Sequence, residues 1–325
     1  MTQSLSTSGN YRHIFGPVLS RRLGRSLGVD LMLFKTCTYD CVYCEQGRTT
    51  RHTACRKEYI RIEVLLDELK NFLSSFPAPD YITLSGAGEP TLHAGLGSIV
   101  QGIKVLTNIP LAVITNGALL WDSSVREGLH MADVVLPSLD AGNAQLFTHI
   151  NRPVPDISFE QMLGGLIAFR ESFHNAIWLE VMLMEGITSS DSEVREIADH
   201  VRCIRPDRVQ LNTVVRPPSE DFAKPIPRKR LEQLAALFEP HAELIADYDG
   251  AVQEMAAAPD ADRILKLLER RPCSLTQIAA TLGLRPVETA KHLEYLAGQN
   301  KIAQKRFGAD TFFSTVHIAD EEEIR

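Results

Sequence analysis

With six cysteines in 325 residues, the chain is too poor in cysteine to be a disulfide scaffold. No second CxxC and no HxxxH pair accompanies the one cysteine cluster, which excludes the usual four-ligand structural zinc site. No uninterrupted apolar run is long enough to cross a bilayer, so no membrane partner is expected. The start "MTQSLSTSGNYRH" has neither the basic leader nor the apolar stretch of a secretory signal, so a cytoplasmic location is expected. The net charge is -7, which argues against a surface that coats nucleic acid throughout but leaves room for a local basic patch. Solenoid repeats are absent, and the acidic end "DEEEIR" is the one biased segment. What remains is an ordinary globular composition, 44% hydrophobic and 23% charged, at the length of one large and one small domain.

From Asp30 to about Asn212, short runs rich in branched apolar residues alternate with longer amphipathic stretches, the pattern of repeated strand–helix units around a parallel sheet. The expected strands are "VDLMLFK", "DYITLSG", "LAVITN", "DVVLPSLD", "IWLEVMLM" and "RVQLNTV", with "HIFGPVLSR" covering an edge. Between them, "RIEVLLDELKNFLSSF" repeats Ile62, Leu65, Leu66, Leu69 and Phe72 on one helical face. Six units are too few to close an eight-unit barrel, so the expected fold is a partial (β/α)6 barrel over residues 1–227. The four prolines of "RPPSEDFAKPIPRKR" mark its end. A connecting helix and linker are expected over 228–258. Three short helices and a hairpin then predict a winged helix-turn-helix over 259–318, followed by an acidic tail at 319–325.

The chemistry concentrates in "FKTCTYDCVYCEQG", where Cys37, Cys41 and Cys44 are spaced C-x3-C-x2-C after an expected strand. Three buried thiols or part of a zinc site would be the bland reading. A four-iron cluster takes one thiolate at each iron, so three cysteines would leave one iron open to a ligand from outside the protein.

That spacing, with the aromatic Tyr43 directly before the last cysteine, resembles the signature of the radical S-adenosylmethionine (SAM) superfamily. Further motifs agree with the family in order: "SGAGEPTLH" resembles its GGEP motif, with Ala87 in place of the first glycine, and "ITNG", "PSLDA" and "INRP" follow at later strand ends. The resemblance implies a [4Fe-4S] cluster on Cys37, Cys41 and Cys44. The open iron binds SAM, which is reductively cleaved to a 5'-deoxyadenosyl radical that abstracts hydrogen from a substrate. It also implies cofactor contacts from Tyr43, Gly88, Glu89, Asn116, Ser138, Asp140 and Asn151, and an electron donor such as a flavodoxin or ferredoxin. Taken singly, Asn-Gly is a common turn and Asp140 could cap a helix; the ordered set at strand ends is what carries weight.

"GPVLSRRLGRSLGVDL", the cysteine stretch and "VQLNTVVRPP" resemble more narrowly an iron-sulfur oxidoreductase branch related to the tRNA wybutosine-synthesising enzymes. The second cysteine cluster of the enzymes that build the tricyclic base is missing here. By this resemblance a tRNA or other nucleic-acid base is the first substrate class; by their position, Arg21 and Arg22 before the first strand and Gln210, Asn212 and Arg216 at the last strand are the expected substrate contacts. Solvated arginines are the bland reading of Arg21 and Arg22. In the C-terminal module, nine Lys or Arg face five Asp or Glu from Ala261 to Val316, and Lys291, Lys301, Lys305 and Arg306 are candidates for contact with phosphate. The alternatives are a small-molecule or peptide substrate with the module as a docking surface, and an iron-sulfur sensor that regulates transcription without turnover.

Overall fold

The computed structural model describes residues 11–245 and 261–316. The expected acidic tail, the expected linker from residue 246 to 258 and the ends of the expected C-terminal domain at 259–260 and 317–318 lie outside the described residues. The first edge strand β1 (Ile14–Ser20) runs antiparallel to β2 (Gly24–Val29). Two-residue strands β3 (Thr36–Cys37) and β4 (Arg51–His52) pair beside the cysteine loop. Then β5 (Tyr81–Leu84), β6 (Leu111–Thr115), β7 (Val134–Pro137), β8 (Ala176–Leu183), β9 (Arg208–Thr213) and the short β10 (Glu243–Leu244) continue the main sheet in parallel. The order β1-β2-β5-β6-β7-β8-β9-β10 leaves β1 and β10 as two edges, so the sheet is an open, partial barrel.

Helices α1 (Ile62–Ser75), α2 (Leu96–Leu106), α3 (Ser123–Gly128), α4 (Ala144–Ile150), α5 (Phe159–Ser172), α6 (Asp191–Ile204) and α7 (Arg228–Ala235) accompany these strands. Leu65, Leu69 and Phe72 of α1 fall one helical turn apart and are buried, as their spacing predicts. Ser190 and Glu193 close a capping box at the start of α6. In β8 the side chains alternate: Ile177, Leu179, Val181 and Leu183 are buried against the helical layer, while Trp178, Glu180 and Met182 are half-buried on the other face. Leu231, Leu234 and Phe238, in and just after α7, join the same main core. Leu23, from the β1–β2 turn, packs with Ala112, Val134 and Leu136, with Trp178 against them, in a separate apolar cluster.

The first parallel strand is displaced from its expected position. The chain leaves the sheet at Val29, and residues 30–35 form a loop. Asp30 accepts the backbone N–H of Met32 at 3.1 Å, and Lys35 has φ 53°, neither compatible with a continuing ladder. Leu31 and Met32 are buried nonetheless, so burial rather than extension explains their hydrophobicity.

The C-terminal module comprises α8 (Ala261–Arg270), β11 (Cys273–Ser274), α9 (Leu275–Leu282), α10 (Pro286–Gly298), β12 (Ile302–Phe307) and β13 (Asp310–Thr315). The strands form an antiparallel sheet in the order β11-β13-β12. Gly283, at φ +66°, ends α9, and Pro286 opens α10. Ile264, Leu268, Ile278, Leu293 and Leu296 form its own core, against which Val18 of β1 packs. Phe307 reaches the main core, and Lys305 pairs with Asp221 at 3.0 Å. The module therefore touches β1 at one edge of the open sheet and, beyond β9, the segment that follows the last long strand.

Candidate active site

The cysteine loop is held by residues that alternate with its thiols. Tyr39 and Val42 are buried in the main core, while Cys37, Cys41 and Cys44 remain half-buried. The backbone N–H of Val42 donates to Ile150 O at 2.9 Å, and that of Asp40 to Asn151 O at 3.0 Å, tying the loop to the end of α4. Each sulfur has a nitrogen donor nearby: Asn116 Nδ2 and Tyr39 N lie 3.5 Å from Cys37 Sγ, Asn151 Nδ2 lies 3.5 Å from Cys41 Sγ, and Lys35 Nζ lies 3.2 Å from Cys44 Sγ. Burial first, and then the neighbouring Glu89, pushes the Cys37 thiol up to about 12; burial likewise raises Cys41. A strongly cationic centre is what would make thiolates stable here. Among the described residues, no three His, Cys, Asp or Glu side chains converge on one point that a single ion could share. Three thiols on one short loop supply one thiolate for each of three irons of a [4Fe-4S] cluster and are one ligand short of a closed zinc site.

Two polar nodes tie the strand ends to this loop. In the first, Glu89 is buried and its carboxylate accepts four hydrogen bonds from within the chain. Oε1 accepts Thr91 N at 3.0 Å, Thr91 Oγ1 at 2.7 Å and Thr115 Oγ1 at 2.6 Å, and Oε2 accepts Asn116 N at 2.7 Å. Asn116 Nδ2 then donates to Thr38 Oγ1 at 2.8 Å. Gly88 lets this loop approach the cysteine segment, since a Cβ there would lie 2.2 Å from Thr36 O. In the second node, Asp140 is buried and accepts the Tyr43 hydroxyl, Asn151 Nδ2 at 3.0 Å and Met182 N at 2.9 Å. Burial raises the carboxyl groups of both Glu89 and Asp140, and the donors around them oppose that rise. Ser138 is half-buried beside Glu180 on the neighbouring strand.

Next to the cysteine loop lies a polar layer that unites the expected substrate contacts. Arg22 pairs with Glu180, Asn212 Nδ2 donates to Glu180 Oε1 at 3.0 Å, and Arg21 Nη1 donates to Asn212 Oδ1 at 3.3 Å. Arg216 pairs with Glu45, the residue after Cys44, at 2.6 Å. Gln210 is buried, and among the described residues its Oε1 has no hydrogen-bond partner. Burial and the adjoining Arg21 and Arg216 charges bring the Arg22 guanidinium down to about 10, still charged at neutral pH. Burial works to raise the Glu45 carboxyl, but Arg216, Arg271 and Arg21 outweigh it and hold it below its ordinary value. Lys291, Lys301 and Arg306 are exposed on the C-terminal module, whereas Lys305 is engaged with Asp221. The sequence reading missed Lys35, Glu45, Glu180 and Asp30. The first two flank the cysteine motif and could have been found by their position; the other two are visible only through contacts distant in sequence.

A family model described as the Radical SAM superfamily matches residues 31–201, more than half of the chain. A UPF0026 protein from Helicobacter pylori is 33% identical over 303 residues, covering 92% of this chain and 96% of that protein. A Brachyspira hyodysenteriae protein named GTPase Obg is 37% identical over 298 residues, which is 90% of this chain but 44% of that protein, so the chain spans less than half of this relative. Among solved structures, a radical SAM methyltransferase from Sphaerobacter thermophilus has a TM-score of 0.52 at 16% identity, covering 67% of this chain and 65% of that one, a likeness of fold alone. The parallel strands, the matched span and the shared sequence agree: the chain belongs to the radical SAM superfamily, enzymes that use a [4Fe-4S] cluster and SAM, and within it to the UPF0026 proteins.

Proposed function

We propose that this radical SAM enzyme acts on a nucleic-acid base, tRNA being the first class to test, and that the C-terminal module, read as a winged helix over 259–318, presents the substrate to the barrel. In this reading Cys37, Cys41 and Cys44 hold the cluster, and the two polar nodes hold the loops around SAM. When bound, this cofactor pair supplies a carbon radical able to abstract hydrogen. Glu89 keeps Asn116 and its own loop in place through four internal hydrogen bonds, three to Oε1 and one to Oε2, which leaves Oε2 an acceptor site for the cofactor. The half-buried Ser138 hydroxyl and the Tyr43–Asp140–Asn151 node serve the rest of SAM.

The observation that carries the substrate reading is the polar layer. Among the described residues, Arg21, Arg22 and Arg216 gather around Glu45 and Glu180, and Gln210 Oε1 is a buried acceptor to which no described group donates. An anionic group held by the guanidinium ions and an N–H donated to Gln210 describe a base with its phosphate. The exposed Lys291, Lys301 and Arg306 add a basic face for the rest of a polynucleotide. Reduction by an acidic carrier of the flavodoxin or ferredoxin type would use the surface around Arg51, His52 and Lys57. That surface surrounds a shallow pocket of about 390 Å³ that also reaches Thr36. A cytoplasmic location belongs to the same reading, since reducing conditions keep the six cysteines as thiols.

The test is 5'-deoxyadenosine formation by reduced, cluster-replete, full-length protein with SAM, alone and with total tRNA or with mononucleotides. Acceleration by tRNA beyond that of mononucleotides at equal phosphate supports the reading. Acceleration by small anions alone would replace it with a small-molecule substrate.

A further inference from the structure

The loop that carries Gly88 and Glu89 is held on a second side by a residue outside both polar nodes. Asp30, at the end of β2, is 1% exposed. Its Oδ1 accepts Met32 N at 3.1 Å, and its Oδ2 accepts Ala87 N, in the middle of the loop, at 3.1 Å. Gly86 packs directly on this carboxyl group, since a Cβ there would lie 2.2 Å from Asp30 Cγ. The loop is thus seated on Asp30 by one hydrogen bond and one close approach. From its other side the loop meets the cysteine segment, through Glu89 N to Thr36 O at 3.1 Å and Lys35 N to Ala87 O at 2.8 Å.

Among the described residues, the Asp30 carboxylate also pairs with a cation, and it comes from the C-terminal module. Arg270, in the last turn of α8, pairs through Nη1 with Asp30 Oδ2, the oxygen that also receives Ala87 N. Its Nη2 donates to Arg12 O at 2.9 Å, and the guanidinium lies 5.2 Å from the centre of the Phe15 ring. Three contacts fix its direction, which a flexible surface pair would not show. Burial raises the Asp30 carboxyl, while Arg270, the two backbone donors and His13 oppose the rise. Without Arg270, burial favours the protonated acid, a weaker acceptor for Ala87 N.

We propose that Arg270 is a positioning residue for the SAM loop, acting through Asp30, so that the seating of the C-terminal module on the barrel sets the affinity of the enzyme for SAM. The inference rests on the cofactor reading of the loop at residues 85–89 and is independent of what the module binds.

The experiment compares full-length, cluster-reconstituted parent protein with Arg270→Ala, Arg270→Lys and Glu269→Ala, an exposed change on the same helix. It measures iron content, the EPR signal of the reduced cluster without SAM, and the Kd for SAM from the change in that signal on titration. SAM binding by the parent establishes the cofactor reading separately. Arg270→Ala is expected to keep its iron and its SAM-free signal while its Kd rises about tenfold or more, the scale of one charge-assisted hydrogen bond. Arg270→Lys keeps the charge but not the planar fork and should fall between it and the parent, while Glu269→Ala should match the parent. If Arg270→Ala does not accumulate as folded protein, Arg270→Lys is read in its place. A Kd within twofold of the parent in whichever of the two folds overturns the proposal, as does an equal rise in Glu269→Ala.

Discussion

The backbone N–H of Asn116 donates to Glu89 Oε2 at 2.7 Å, so the residue just beyond β6 is positioned by a carboxylate from the loop after β5. Glu89→Gln keeps the shape but turns one acceptor into a donor, leaving an N–H facing an N–H. One unmet buried pair costs about 1–3 kcal/mol. We expect a lower Tm and SAM affinity reduced by one to two decades in cluster-replete protein, measured by equilibrium binding. Unchanged affinity together with a lowered Tm would limit Glu89 to stability.

The three loop cysteines should be separable from the other three. Cys37→Ala, Cys41→Ala and Cys44→Ala are each expected to lose the visible absorbance and iron of the reconstituted cluster. Cys55 and Cys203 are exposed, and their alanine variants should match the parent. Cys273 is fully buried in the C-terminal module, so Cys273→Ala should cost about 1 kcal/mol of stability and keep the iron. Loss of iron from any of this second trio would contradict the three-ligand assignment.

His93 gives a pH dependence with a definite sign. It is buried, with Nε2 2.8 Å from Ile60 O and Nδ1 accepting Gly95 N at 3.1 Å, which selects the neutral ring protonated on Nε2. Burial is the main cause of its lowered pKa. The unfolded chain therefore binds a proton more readily than the folded one. The stability from the neutral ring is complete above the unfolded value of about 6.5 and is lost as pH falls below it toward the folded value. His13, also lowered by burial, acts in the same direction. Urea unfolding at pH 7.5 and pH 5.5 should show a smaller loss in His93→Gln than in the parent, and equal losses would assign the effect elsewhere.

Much of the fold was legible because its signals are local. The buried runs of β5 to β9 and the α1 face follow from hydrophobic spacing, and the cysteine motif and strand-end polar residues are contiguous in sequence. Val29 to Lys35 misled because buried loop residues are as apolar as strand residues; only the Asp30 contacts and the positive φ of Lys35 separate them. Likewise, Glu89 could be found from its motif, but the four donors to its carboxylate come from residues as far away as Asn116. Arg270 lies 240 residues from Asp30, beyond any pattern in the sequence.

Nucleic-acid contact by the C-terminal module is best tested without removing it. Truncation would uncover Val18 on β1 and take the cation from Asp30, disturbing the barrel as well as any RNA surface. Lys305 is also a poor probe, because it pairs with Asp221 and a substitution there alters a contact with the barrel as well as any RNA surface. Lys301 and Arg306 are exposed on the same hairpin. The double variant Lys301→Glu/Arg306→Glu should retain its iron and its Kd for SAM while binding tRNA more weakly. Each lost phosphate contact should flatten the log–log salt dependence by roughly 0.7–0.9. The measurement is a tRNA titration at several salt concentrations for parent and variant. An unchanged slope would remove these side chains from the RNA surface, and an absence of tRNA binding by the parent would turn the substrate search toward small anionic molecules held by Arg21, Arg22 and Arg216.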